Sequence, residues 1–234
     1  MAGTLVVTPA DAQVRLGRET GFDSRVEVMS WWEIPFRSIV RQQYDFSCGS
    51  AAVATLLSYH YGRRTAEPEP FAWMWRNGDQ DTIRRVGFSM FEMRAYLASL
   101  GYRAEGFRLT LDQLRILARP SIALINTDGF RHFVVIKGVR GDRVLLGDSV
   151  RGLNEYSLAD FGAMWNGIVL SVIATPDEAT PRFNLASDWG PWATAPLENG
   201  GGMRIAIGDL TTHLPPLYQV SEQILLAVRV GTVR

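Results

Sequence analysis

The chain has 234 residues, with 24 basic and 24 acidic side chains and a formal net charge of zero. At roughly 100–200 residues per domain, that length fits one globular domain with an appendage, or two small domains. With 47% apolar and 21% charged residues it can build a core and is not a disordered chain. A pI near 6.8 removes the bulk basic field that nucleic-acid binders carry, so only a local basic patch stays open.

Of the 24 basic residues all but one are arginine, and Lys137 is the single lysine. This reads as a coding bias. No apolar run approaches the roughly 18 residues that cross a bilayer, so no membrane span is expected. The N-terminus, Met1-Ala-Gly-Thr-Leu-Val-Val, lacks the charged and long apolar segments of a signal peptide, though a mature form would lack them too. Cys48 is the only cysteine, which excludes an intramolecular disulfide and a multi-thiolate zinc site. The three histidines, His60, His132 and His213, argue against a His-rich metal cluster. No cofactor is expected.

Along the chain, residues 1–35 are weakly patterned, with strand candidates at Leu5–Val7 and Arg25–Met29. Cys48–Tyr61 is apolar almost all round, which marks a buried helix; Ser47 or Asp45 is placed to cap it and Gly62 to close it. Ser89-Met-Phe-Glu92 is a capping box opening a second helix, with Met90, Met93, Leu97 and Leu100 on one face. Thr110-Leu-Asp-Gln113 opens a third, with Leu111, Leu114 and Leu117 inward and Pro120 behind. The period then switches. Ser121–Ile125, Phe133–Ile136, Val144–Leu146 and Ile168–Ile173 are strand-like runs separated by Gly and Asp turns, with a short helix near 157–165. Helices first and strands second give an α+β class with a mainly antiparallel sheet. Prolines and the run Asn199–Gly202 punctuate residues 176–234, read as an extension packed on a core domain of residues 36–175. Met203–Ile207 and Ile224–Val228 are strand candidates within it, and Ile205, Ile207, Leu225 and Val228 are its candidate core contacts.

Cys48 falls in the first turn of its helix, where the dipole and free backbone N–H groups favour an anion. A lone cysteine there also reads as a small buried hydrophobe, so its company decides. His60, twelve residues along the same helix, stands ~18 Å away at 1.5 Å per residue and is out of reach. His132 opens one strand and Asp148 ends the next. If the intervening turn centres near Arg140, the two lie opposite each other, close enough for an imidazole–carboxylate bond. A slip of one residue would send them to opposite faces. Gln42, six residues before Cys48, is placed to donate an amide N–H to an oxyanion beside the Cys48 backbone. Gln, Cys, His and Asp in this order suit nucleophilic acyl chemistry. Trp31, Trp32, Trp73, Trp75, Trp189 and Trp192 are read as packing residues rather than a groove lining. Gly200–Gly202 is read as a loop rather than a self-cleavage site.

Gln42-Gln-Tyr-Asp-Phe-Ser-Cys48-Gly-Ser-Ala-Ala, His132-Phe-Val-Val, Gly147-Asp148 and Trp165-Asn-Gly167 together resemble the C39 family of papain-like cysteine peptidases. That family processes double-glycine leader peptides, often as the N-terminal domain of an ABC exporter. The resemblance covers about residues 36–175 and implies a papain-like fold. It implies Cys48 as nucleophile, His132 as base, Asp148 as orienting acid and Gln42 in the oxyanion hole. No transporter follows the domain, and the family's usual peptidase has no extension like residues 176–234. The wording also resembles a stand-alone C39-like group, one member of which is encoded in bacterial functional-amyloid operons. That likeness implies a peptide or protein substrate such as a secreted or amyloid-forming client, and a periplasmic location, with the cytoplasm as alternative. A peptide-binding accessory module without catalysis, and an acyl or amide transferase, are the competing readings.

Overall fold

The computed structural model describes residues 13–16, 24–27, 32–127 and 129–190. The chain divides into compact units of residues 1–198 and 199–234, and the described residues belong to the first. Expectations for Leu5–Val7, Trp31, Trp192, Gly200–Gly202, His213 and the strand candidates after residue 202, with their core contacts Ile205, Ile207, Leu225 and Val228, lie outside the described residues. Strand β1 (Gln13–Leu16) pairs antiparallel with β2 (Ser24–Glu27) as a two-stranded sheet.

Helix α1 (Cys48–Thr55) continues into a π turn over Leu56–His60. Gly62 follows at φ +72°, the left-handed conformation that ends a helix most easily without a Cβ. Two helices come next that sequence patterning did not anticipate: α2 (Pro68–Asn77) and α3 (Gln80–Val86). Prolines at the start of α2 sit where a missing N–H costs nothing, and the Asp79 carboxylate caps α3 by accepting from the Asp81 and Thr82 N–H groups. Both predicted capping boxes are formed, opening α4 (Met90–Ser99) and, after strand β3 (Arg103–Arg108), α5 (Leu111–Leu117).

The remaining strands are β4 (Ser121–Thr127), β5 (Phe130–Arg140), β6 (Arg143–Asp148), β7 (Gly152–Ser157) and, after helix α6 (Leu158–Met164), β8 (Trp165–Ala174). They form a six-stranded sheet in the order β3-β8-β4-β5-β6-β7, antiparallel at every pairing. The two strands that patterning missed, β3 and β7, are its edges. An edge strand needs no continuous apolar run because it is covered on fewer sides.

Both faces of the sheet are packed. Val53, Leu56 and Leu57 of the first helix join Met74, Met93 and Leu97 against Ile122, Val135 and Leu170. On the other side Leu114 and Phe161 pack on Ala123, Val134, Ile136 and Val144. Trp73 and Trp75 pack partly buried against the first of these cores, and Trp189 against a smaller cluster of Ile39, Leu145 and Leu153. Trp32 does not: it is 81% exposed, which corrects its reading as a packing residue. The class is α+β, with helix α1, which begins at Cys48, laid against an antiparallel sheet.

Candidate active site

The geometry begins with a turn and a bulge. Arg140 pairs with Arg143 across Gly141-Asp142, and Gly141 at φ +57° takes the conformation such a two-residue hairpin requires. In that register, continued unbroken, Asp148 would face Val135, and His132 would point to the opposite side. Instead the pairing shifts between Ile136 and Gly138, leaving Lys137 as an extra residue, and Asp148 faces Val134. His132, two residues further on, then shares a face with Asp148 as a diagonal neighbour within side-chain reach. The expected direct 132–148 opposition is thus corrected. The bulge at Lys137 restores the common face that the turn alone would have denied.

His132 Nε2 lies 2.9 Å from Asp148 Oδ1, and both residues are buried, 5% and 6% exposed. The same oxygen accepts from the Val150 N–H at 2.7 Å and the Arg151 N–H at 3.1 Å. Burial alone would raise the Asp148 pKa, but these donors and the imidazolium charge hold it below the usual carboxylate value. For His132, desolvation works downward. The hydrogen bond to Asp148, the interaction with Cys48 and the negative charges of both outweigh it and raise the ring to about 9. The ring therefore carries its second proton at neutral pH.

With Nε2 taken by Asp148, buried Nδ1 is the nitrogen left to Cys48, and it has no aligned hydrogen-bond partner. Cys48 interacts with the ring and raises its pKa, although no aligned hydrogen bond joins the two. Phe130, 61% exposed, stacks beside the imidazole with ring centroids 5.9 Å apart.

Cys48 is the first residue of α1, behind Ser47. The expected side-chain cap from Ser47 or Asp45 is absent. The Ser47 hydroxyl turns back instead, 2.9 Å from the Tyr44 carbonyl and 3.1 Å from its N–H. A capping oxygen would have occupied first-turn N–H groups that an oxyanion needs. Ser50, one turn in, lies 3.1 Å from Oε1 of buried Glu67, which tethers this end of the helix from below.

Gln42 sits where the approach to α1 meets the end of β6. Its backbone N–H donates to Ser149 O at 3.3 Å, its side-chain carbonyl accepts from Ser149 Oγ at 2.8 Å, and its amide donates to Tyr44 O at 3.0 Å. One of the two amide hydrogens is thereby used, and the other is free in stereochemical terms to serve a ligand. Ser149 and Glu67 escaped the sequence reading because nothing in local spacing distinguishes them.

His60 is placed far from this chemistry. Its Nδ1 is 2.5 Å from Arg182 O and its Nε2 3.2 Å from Lys137 Nζ. The ammonium can only donate, so Nε2 accepts and Nδ1 carries the proton. Burial first, then the Lys137 charge, push its pKa down to about 3. It is a neutral structural histidine.

A thiol at a helix N-terminus, with an imidazole and carboxylate presented by adjoining antiparallel strands, is the arrangement of a papain-like thiol hydrolase. A model of the peptidase C39 family matches residues 37–177, and the chain belongs to that family. It is a peptidase. It is 41% identical over 185 residues to "Probable functional amyloid protease FapD" of Pseudomonas aeruginosa, covering 75% of this chain and 82% of that one. It is 42% identical over 147 residues to the protein of the same name from Pseudomonas fluorescens, covering 63% and 65%. Among solved structures, the peptidase domain of Streptococcus ComA superposes with a TM-score of 0.49 at 18% identity, covering 58% of this chain and 98% of that domain. Among the described residues no helix is long and apolar enough to cross a membrane.

Proposed function

We propose that Cys48 is the nucleophile, His132 the acid–base, Asp148 its orienting carboxylate and Gln42 an oxyanion donor. The Cys48 thiolate attacks the scissile carbonyl carbon, and the C=O electrons move to oxygen. The Cys48 backbone N–H and the second Gln42 amide hydrogen receive that oxyanion. As the C–N bond breaks, His132 Nδ1–H protonates the leaving amine. Water then attacks the thioester, giving one proton to Nδ1, and the carboxylate product leaves with the thiolate restored. The observation that carries this reading is the buried His132–Asp148 pair whose other nitrogen is left to Cys48.

The substrate we infer is a peptide segment of a secreted, amyloid-forming client. The functional amyloid proteases that align over most of this chain support it. So does the aromatic surface of Tyr44, Phe46 and Phe71, with ring centroids 5.1–6.2 Å apart, on the approach to Cys48. The periplasm is the compartment that accords with such a client.

Peptide-library cleavage in H₂¹⁸O, read by mass, tests the reading. Wild type is expected to yield products carrying one ¹⁸O at the new carboxylate, and Cys48→Ala none. Products without ¹⁸O would point to acyl transfer, and binding without cleavage by wild type would overturn catalysis.

A further inference from the structure

Lys137 is the bulge residue of β5 and fully buried, at 0% exposure. Its ammonium lies 3.1 Å from Ser38 O, 3.2 Å from His60 Nε2 and 3.3 Å from Asp188 Oδ2, the last an ion-pair contact rather than an aligned hydrogen bond. Two hydrogen bonds and one ion pair thus join the ammonium to three separate stretches of chain. Asp188 Oδ1 in turn accepts from Ser38 Oγ at 2.8 Å.

Two of these stretches, and the lysine stem itself, lead to the active site. Ser38 lies on the segment that runs through Gln42 to Cys48. His60 ends the helical run that Cys48 begins. The lysine stem crosses β6 over Gly147, where a Cβ would stand 2.9 Å from Lys137 Cδ, immediately before Asp148. The lengths also match. The helical run from Cys48 to His60 rises at most ~18 Å, a little less where it widens into the π turn, and five strand residues from His132 to Lys137 span ~17 Å. α1 and β5 are therefore fastened at both ends: Cys48 against His132 at one, His60 against Lys137 at the other. A slide of the helix along the strand breaks both contacts together.

The counter-charge arrives from beyond the family-matched region. Residues 182–189 lie along the bulge as a strap. The Asn184 N–H donates to Lys137 O at 3.0 Å, Arg182 N–H to His60 O at 2.8 Å, and Arg37 clasps Ser187 O and Asp188 O at 2.8 and 3.0 Å. Gly138 leaves the room, since a Cβ there would meet Asn184 Oδ1 at 2.2 Å. In a chain whose other basic residues are all arginine, this position holds the one lysine. A narrow stem over Gly147 and a compact ammonium with three divergent donors fit here, and a planar guanidinium does not.

Resting on the catalytic roles proposed above, we propose that Lys137 and Asp188 are positioning residues. Their buried pair, closed by the strap of residues 182–189, holds the bulge and the α1–β5 alignment that set His132 against Cys48 and Asp148.

Three variants of the full chain test this: Asp188→Asn, the apolar pair Lys137→Met with Asp188→Leu, and Ser38→Ala, which removes only one hydroxyl. Iodoacetamide labelling of Cys48 against pH, read by intact mass, is measured with kcat and KM on a cleaved peptide, well below each melting temperature. Asp188→Asn is expected to lower the pH 6 labelling rate and kcat by about tenfold or more with KM nearly unchanged, as a misplaced catalytic group does. The apolar pair buries no unpaired charge and is expected to recover stability, yet to stay slow because the clasp is gone. Ser38→Ala is expected to fold as wild type and lose kcat a few-fold. Wild-type labelling and kcat in the folded apolar pair or in Ser38→Ala overturn the proposal, whatever happens to melting temperature. Slow low-pH labelling of wild type itself would instead overturn the catalytic roles.

Discussion

Two buried histidines have been driven to opposite ends of the titration range by their neighbours. His132 is raised to about 9 and His60 lowered to about 3. In the unfolded chain both return to ~6.5. The His132 contribution to stability is therefore complete below pH 6.5 and lost as pH rises through about 9. His60 must be neutral in the fold, so stability is lost as pH falls from ~6.5 towards 3. Asp148 adds a further loss at acid pH, as its depressed carboxyl is protonated. Melting temperature against pH should peak near 6.5. His60→Gln should flatten the acid limb, and His132→Gln the alkaline limb; a profile unaltered by either would remove these assignments. Kinetically, His132→Gln should abolish turnover, whereas His60→Gln, which can still accept from Lys137 and donate to Arg182 O, should stay within a few-fold. In wild type, kcat/KM should fall as pH rises through about 9 and His132 loses its proton. Asp148→Asn removes an anion that favours the imidazolium, so its alkaline limb should move to lower pH, with kcat reduced more than substrate affinity. An unmoved limb would show that Asp148 does not hold the ring.

At the scale of elements, the turn between β6 and β7 holds the Asp148 carboxylate at the end of β6. Gly152 closes it at φ +85°, and a Cβ there would stand 2.6 Å from Pro35 Cβ and 2.8 Å from Pro35 O. Gly152→Ala combines backbone strain of about 1–3 kcal/mol with that clash. It should lower both melting temperature and kcat, because the Val150 and Arg151 N–H groups that hold Asp148 belong to the same turn. Thr110→Ala is the matching control. It breaks the capping box of α5, remote from the chemistry, and should cost about 1 kcal/mol of stability with kcat and KM unchanged. If both variants behaved alike in kinetics, the turn would have no special role.

At the scale of the molecule, the family match ends at residue 177, but the contacts that neutralise Lys137 extend to Asp188. A chain stopped after residue 177 leaves a buried ammonium unpaired, a defect of about 3–5 kcal/mol. That truncation should be insoluble or melt far below the full chain. A chain stopped after residue 198, the end of the first compact unit, should keep the Cys48 labelling profile. Equal behaviour of the two would make the strap dispensable.

Local chemistry wrote much of this protein legibly into its sequence. The capping boxes at Ser89–Glu92 and Thr110–Gln113 use partners three residues apart, and both are formed as read. The apolar helix behind Cys48 and the strand run after His132 announce themselves by composition, and the order Gln, Cys, His, Asp carries the family resemblance. Edge strands β3 and β7 left no comparable trace, because half-covered strands need no apolar run. The register was decided elsewhere. Whether His132 meets Asp148 depends on one extra residue at position 137, and that residue is tolerated in the core only because Asp188, 51 positions later, and His60, 77 positions earlier, meet its ammonium. Sequence spacing reports interactions along a helix or across a short turn. The pairing of a buried charge with distant chain is a property of the packed molecule, where low dielectric makes an absent partner costly and so fixes which distant segments must come together.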